Sequence, residues 1–178
     1  MTVSLIIPTY NEEVNIQKGV LDKISNFTKE HPEFYEVIIV DDGSTDSTKD
    51  LIKREYMQRF SHFRLIENNH AGKAQAIITG IKKASSDVVM FTDIDLATPI
   101  EEGEKLLGAL KDTYDIAIGS RNTHREGAPL LRKIMAVGFI FIRNSLIGLN
   151  NIKDTQCGFK VFDRKIALKI IDKLQVFK

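Results

Sequence analysis

The sequence predicts an α/β fold, a mostly parallel sheet flanked by helices in a Rossmann-like arrangement. Three observations carry this. Apolar runs of strand length recur at 3–8, 37–40, 63–66, 88–92 and 116–119, and buried parallel strands read as near-continuous apolar runs. Stretches with helical character separate them, which implies right-handed crossovers between parallel neighbours. Polar residues follow the first, second and fourth runs directly, at the strand ends where open α/β sheets bind ligands.

Taken in order, Val3-Ser4-Leu5-Ile6-Ile7-Pro8 forms the first strand, closed by proline. A helix over 12–29 follows, with Val14, Val20, Leu21, Ile24 and Phe27 on one face. Val37-Ile38-Ile39-Val40 is a second buried strand and runs into Asp41-Asp42-Gly43-Ser44. Asp46 or Ser47 can cap a helix reaching Arg59, with Leu51 and Ile52 turned inward. Residues 63–66 form a short third strand, 73–84 a helix, 88–92 a fourth strand, 99–111 a helix and 116–119 a fifth strand.

The chain has 178 residues, 43% of them apolar and 28% charged, as in an ordinary globular domain with its own core. A net charge of +1 provides no global field for nucleic acid or an anionic membrane, so any such preference must be local. Cys157 is the single cysteine. It can form no internal disulfide or cysteine metal cluster, and a reducing, cytoplasmic compartment is expected. The strand pattern begins by Val3, so no leader or N-terminal anchor is expected. No stretch reaches the roughly 18 apolar residues of a bilayer span.

Chemistry concentrates at the strand ends. The run Val88-Val89-Met90-Phe91 leads into Asp93-Ile94-Asp95, where a period of two predicts both carboxylates on one side and Ile94 on the other. Such a pair can hold Mg²⁺ or Mn²⁺ in company with substrate phosphates, which points to a nucleoside-diphosphate substrate. A solvated acidic turn is the plainer alternative. Asp41 and Asp42 can accept hydrogen bonds from a base edge or ribose, and Gly43 permits a tight turn beside a ligand. Pro8-Thr9-Tyr10-Asn11-Glu12-Glu13 occupies the end of the first strand at the same edge.

After Gly119 the texture changes. Arg121, His124, Arg125, Arg132, Lys133 and Arg143 crowd a short region around the apolar run 134–142. Nine residues cannot cross a bilayer, so the run is either a buried core helix or a helix lying in a membrane interface with basic flanks at the headgroups.

Ile7-Pro8-Thr9-Tyr10-Asn11-Glu12, Val40-Asp41-Asp42-Gly43-Ser44-Thr45-Asp46, Ala71-Gly72-Lys73-Ala74 and Asp93-Ile94-Asp95, in this order and spacing, resemble the inverting family 2 glycosyltransferases of GT-A fold. The resemblance covers nearly the whole chain. Gly119-Ser120-Arg121, Arg132-Lys133 and Asp154-Thr155-Gln156-Cys157-Gly158-Phe159-Lys160 are similar to the polyprenyl-phosphate branch, most of all to dolichyl-phosphate β-glucosyltransferases. The mannose synthases of that branch share the acid pair and the Arg121 region but differ around Gln156-Cys157.

The resemblance implies one glycosyltransferase domain, with a nucleotide-sugar half over 1–95 and an acceptor half over 96–178. Pro8, Tyr10, Glu12, Asp41, Asp42, Lys73 and Asp93 would hold the donor, though Lys73 reads equally as a surface lysine. Asp93 and Asp95 would carry the metal. Asp95, Arg121, Arg132 and Asp154 would serve transfer to a dolichyl or other polyprenyl phosphate, with peripheral contact at the cytoplasmic face of a membrane. Eukaryotic members carry an N-terminal anchor and continue beyond the position of Lys178, so a truncated acceptor half is expected. The implied reaction is one in-line displacement at the anomeric carbon, inverting its configuration. The phosphate nucleophile has a second pKa near ~6 and needs no strong base, whereas arginines suit the task of steering one phosphate past another. UDP-glucose is the expected donor and GDP-mannose the alternative.

Two rivals come from other classes. A haloacid-dehalogenase-like phosphatase would need Thr or Val where Ala97 stands. A non-catalytic nucleotide-sugar-binding module would use the same first half without turnover. His124 and Cys157 read as structural, and no P-loop or dinucleotide fingerprint occurs.

Overall fold

A computed structural model describes residues 1–111, 114–120 and 154–174. The chain divides into two compact units, residues 1–119 with 158–178, and residues 120–157. Of the second unit, Ser120 and 154–157 are described; there Asp154 Oδ1 accepts a hydrogen bond from the Gln156 N–H at 2.9 Å, closing a local turn. Arg121, Arg132 and the apolar run 134–142 lie outside the described residues.

The first unit is a six-stranded, mostly parallel sheet in the order β3-β2-β1-β4-β6-β5. Its strands are β1 (Val3–Thr9), β2 (Phe34–Asp41), β3 (Phe63–Glu67), β4 (Val88–Phe91), β5 (Ile116–Ile118) and β6 (Lys160–Asp163). β1, β2, β3 and β4 pair in parallel, as the apolar runs predict, while β6 runs antiparallel between β4 and β5. All seven residues of β1 and all four of β4 are buried, which is why both lack alternation.

The helices are α1 (Glu13–Gln17), α2 (Val20–Glu30), α3 (Thr48–Leu51), α4 (Lys73–Lys83), α5 (Gly103–Lys111) and α6 (Arg164–Lys173). On one face Ile6, Ile38, Val40, Val89 and Phe91 pack with Ala76 and Ile81 of α4 and Ala167 of α6. Gly80 brings α4 against the sheet: a Cβ there would collide with Ile6 and stand 3.3 Å from Val40. On the other face α5 approaches Met90, whose sulfur lies 3.2 Å from where a Cβ on Gly103 would be.

Three expectations change. The helix over 12–29 is two helices, because Gly19 adopts φ 76 and ends the first before starting the second. The rotation removes Val14 from the predicted apolar face, and it is 61% exposed. The helix to Arg59 is one α-turn, α3, continued by a π-helical turn over Ile52–Tyr56; Leu51 and Ile52 are buried as predicted. β6 and α6 were not anticipated, since Lys160-Val161-Phe162-Asp163 is too short and too polar at its ends to stand out as a strand.

Candidate functional site

The C-terminal ends of β1, β2 and β4, with the loop entering α4, surround a cavity of about 400 Å³. Pro8, Thr9, Tyr10, Glu12, Asp42, Lys73, Asp93 and Asp95 line it, joined by Asn15, His70, Gly72 and Ile94. The predicted candidates in the first half therefore converge, with the exception of Asp41, which is fully buried beneath the cavity rim.

Hydrogen bonds between loops hold the rim. Asp41 Oδ2 accepts from the N–H groups of Gly43 and Ser44 at 3.1 and 2.9 Å, and Asp41 Oδ1 is buried without a hydrogen-bond partner. The side chains after it reach back to the first loop. Ser44 Oγ accepts from Asn11 N–H at 2.9 Å, Thr48 Oγ1 from Glu12 N–H at 2.7 Å and Asp46 Oδ2 from Glu13 N–H at 3.2 Å. Asn11 Oδ1 in turn accepts from Thr45 N–H at 2.8 Å. The Gly43-to-Thr48 segment thus braces Tyr10 to Glu13 as well as turning the chain, because short polar side chains can satisfy backbone donors that have no secondary-structure partner.

Asp42 organises the loop before α4. Its Oδ1 accepts from Ala71 N–H at 3.1 Å and its Oδ2 from Gly72 N–H at 2.7 Å, while His70 Nδ1 lies 2.9 Å from Oδ2 and 3.0 Å from the Asp42 carbonyl. This seats the His70 ring on Tyr10, with centroids 4.2 Å apart and planes inclined by 28°. The result is an aromatic surface on the cavity wall. Gly43 makes room: at φ 79, a Cβ on it would sit 2.9 Å from His70 N. The sequence reading missed His70, and only its place two residues before the Gly72-Lys73 helix start could have flagged it.

The acid pair departs from the predicted geometry. β4 ends at Phe91, so Asp93 and Asp95 occupy a turn, closed by Leu96 N–H donating to the Asp93 carbonyl at 3.2 Å. Ile94 is buried, Asp95 is exposed, and both carboxylates still line the cavity. Asp95 Oδ1 accepts from Ala97 N–H at 3.0 Å. Asp93 is ion-paired with Lys73 through its buried Oδ1. Gly158 lies against the same carboxylate, with no space for a Cβ: the Asp93 carboxyl carbon would be 2.5 Å away.

Charge decides what such a cavity can hold. Four carboxylates (Glu12, Asp42, Asp93 and Asp95) face one lysine among the lining residues. A polyanion entering alone would be repelled. Asp93 and Asp95 form a hard, oxygen-only donor set suited to a divalent cation shared with phosphates. Among the described residues no cluster of three or more His, Cys, Asp or Glu makes a self-sufficient metal site, and a cation bound in this way would need none.

The chain belongs to the glycosyltransferases: it matches Glycosyl transferase family 2 over residues 4–171. It is 34% identical to dolichyl-phosphate β-glucosyltransferase of Saccharomyces cerevisiae over 94% of this chain and 56% of that one. It is 35% identical to dolichol-phosphate mannosyltransferase of Pyrococcus furiosus over 94% of this chain and 47% of that protein. The chain thus spans about half the length of the curated relatives it matches. The sheet and its flanking helices are of GT-A type. They superimpose on glucosyl-3-phosphoglycerate synthase of Mycobacterium tuberculosis, solved with uridine diphosphate, at TM-score 0.68 and 22% identity over 93% of this chain and 57% of that one.

Proposed function

We propose that this chain carries the donor site of a hexosyltransferase that moves glucose from UDP-glucose onto dolichyl phosphate with inversion. The observation that carries the reading is the ion pair of Asp93 with Lys73, with Asp95 lining the same cavity, which Tyr10 and His70 wall. Family membership and the yeast relative support it, as does a structure of the mycobacterial synthase holding Mn²⁺ with uridine diphosphate.

Each group has a task. The Tyr10–His70 surface accepts the flat face of the base, and Asp42 and Glu12 supply acceptors for base or ribose donors, with Asp41 holding the loop beneath them. Lys73 and the N-terminus of α4 attract the diphosphate. Asp93 and Asp95 would hold Mg²⁺ or Mn²⁺, which would neutralise the departing diphosphate as a Lewis acid. Arg121 and Arg132 guide the acceptor phosphate, and Asp154 orients the acceptor or a sugar hydroxyl. No general base is required of the protein, because the phosphate monoester is already anionic above ~6. The acceptor is a lipid, so the protein works peripherally at the cytoplasmic face of its membrane; among the described residues no helix is long and apolar enough to cross one.

A second reading, GDP-mannose as donor, is favoured by the archaeal relative. Thermal unfolding with UDP, UDP-glucose, GDP and GDP-mannose, each with Mn²⁺, separates the two, since a ligand stabilises only through its affinity for the folded state. Larger shifts with the uridine nucleotides are expected, and larger shifts with the guanine nucleotides reassign the donor. Glucose transfer to dolichyl phosphate by the full-length gene product then distinguishes an enzyme from a binding module.

A further inference from the structure

We infer that Lys73 is the resident counter-ion of Asp93, exchanged for a divalent cation when a diphosphate enters, so that one side chain couples metal binding to donor binding. The inference rests on the donor reading above and adds to it an order in the electrostatics. Gly158 lies against the Asp93 carboxylate, leaving no room for a Cβ between them. The buried Oδ1 of Asp93 is the atom that meets the Lys73 ammonium. Lys73 is the first residue of α4 and its side chain is 53% exposed, which leaves it free to rotate between partners. Asp95 is committed to Ala97 N–H through one oxygen and adds negative charge close by.

One ammonium cannot neutralise both a carboxylate and a diphosphate. When phosphates occupy the cavity they draw Lys73 off Asp93, leaving a bare carboxylate beside a polyanion. That state favours a divalent cation strongly. Without nucleotide, Lys73 competes with the cation and suppresses its binding. Linkage then requires the nucleotide to raise metal affinity and the metal to raise nucleotide affinity by the same factor.

Mn²⁺ binding, measured from the electron paramagnetic resonance signal of the free ion with and without UDP, tests this in the wild type, K73Q, K73R and D93N. K73Q should bind Mn²⁺ about two- to fivefold more tightly without nucleotide, the range expected from loss of a half-exposed ion pair. Its UDP–Mn²⁺ coupling factor should fall correspondingly, and UDP binding in a chelator should weaken. K73R should resemble the wild type, and D93N should lose Mn²⁺ binding in both states. Circular dichroism melts check that each variant is folded. Unchanged or weaker Mn²⁺ binding by nucleotide-free K73Q overturns the inference. If the wild type binds no nucleoside diphosphate with or without Mn²⁺, the donor reading fails separately, and the nucleotide-free comparison still decides whether lysine and cation compete for Asp93.

Discussion

Asp95 is exposed, and its hydrogen bond from Ala97 N–H could be kept by an asparagine at the same position. Asp95→Asn therefore removes charge with little change in shape. It should lower Mn²⁺-dependent UDP affinity at least about tenfold (~1.4 kcal/mol) by isothermal titration while leaving the melting temperature unchanged. Glu36 presents the opposite case, at the far end of the sheet from the cavity. It is buried and accepts from Ser4 Oγ at 2.7 Å, Ser85 N–H at 2.7 Å, Ser85 Oγ at 2.6 Å and Arg64 at 2.6 Å. Burial pushes its carboxyl up, but the hydrogen bonds from Ser85, Ser4 and Arg64 outweigh burial and hold it below the ordinary 4.5. A lowered folded-state pKa means stability fully present above the unfolded value and lost as pH falls through the folded one. Glu36→Gln should cost about 2–3 kcal/mol in urea denaturation at pH 7. The gap from the wild type should narrow below pH 4.5, as the wild-type carboxyl itself protonates.

Gly80 lies in the middle of α4, where glycine is normally unfavourable in a helix. Its place is explained by the Ile6 and Val40 side chains, which occupy the space a Cβ needs. Gly80→Ala gains helix propensity and loses more in overpacking, so a net loss of about 1–3 kcal/mol is expected by chemical denaturation. Because α4 also carries Lys73 and follows the loop held by Asp42, any lift of this helix off the sheet should weaken UDP binding as well. A stability loss with unaltered UDP affinity would mean that the start of α4 is positioned by Asp42 alone.

For the protein as a whole, the proposed lipid acceptor would require a membrane-facing surface, and the apolar run 134–142 with Arg132, Lys133 and Arg143 at its ends is the proposed one. The chain should bind anionic vesicles and be released in part by high salt, since screening over about 8–10 Å weakens the basic contribution and spares the apolar one. Phe139→Ser with Phe141→Ser should reduce vesicle cosedimentation with the melting temperature preserved. A double variant that unfolds instead assigns the run to the core.

The α/β class and the strand ends that bear the site follow from local pattern, because a strand buried on both faces must be apolar throughout and its polar exit residues then stand out. Asp41-Asp42, Asp93 and Asp95 were legible for that reason, whereas Lys73, at the start of α4, was indicated only by the family resemblance. What local pattern could not supply was which of these groups meet. Gly158 is far from Asp93 in sequence, yet β6 inserts beside β4 and brings it against that carboxylate. His70 acquires its place on Tyr10 only through the long-range grip of Asp42. The split of the first helix was hidden too, since Gly19 is compatible with a helix until tertiary packing selects its positive φ. Such contacts depend on sheet order, and sheet order is decided by non-local burial that no window of sequence contains.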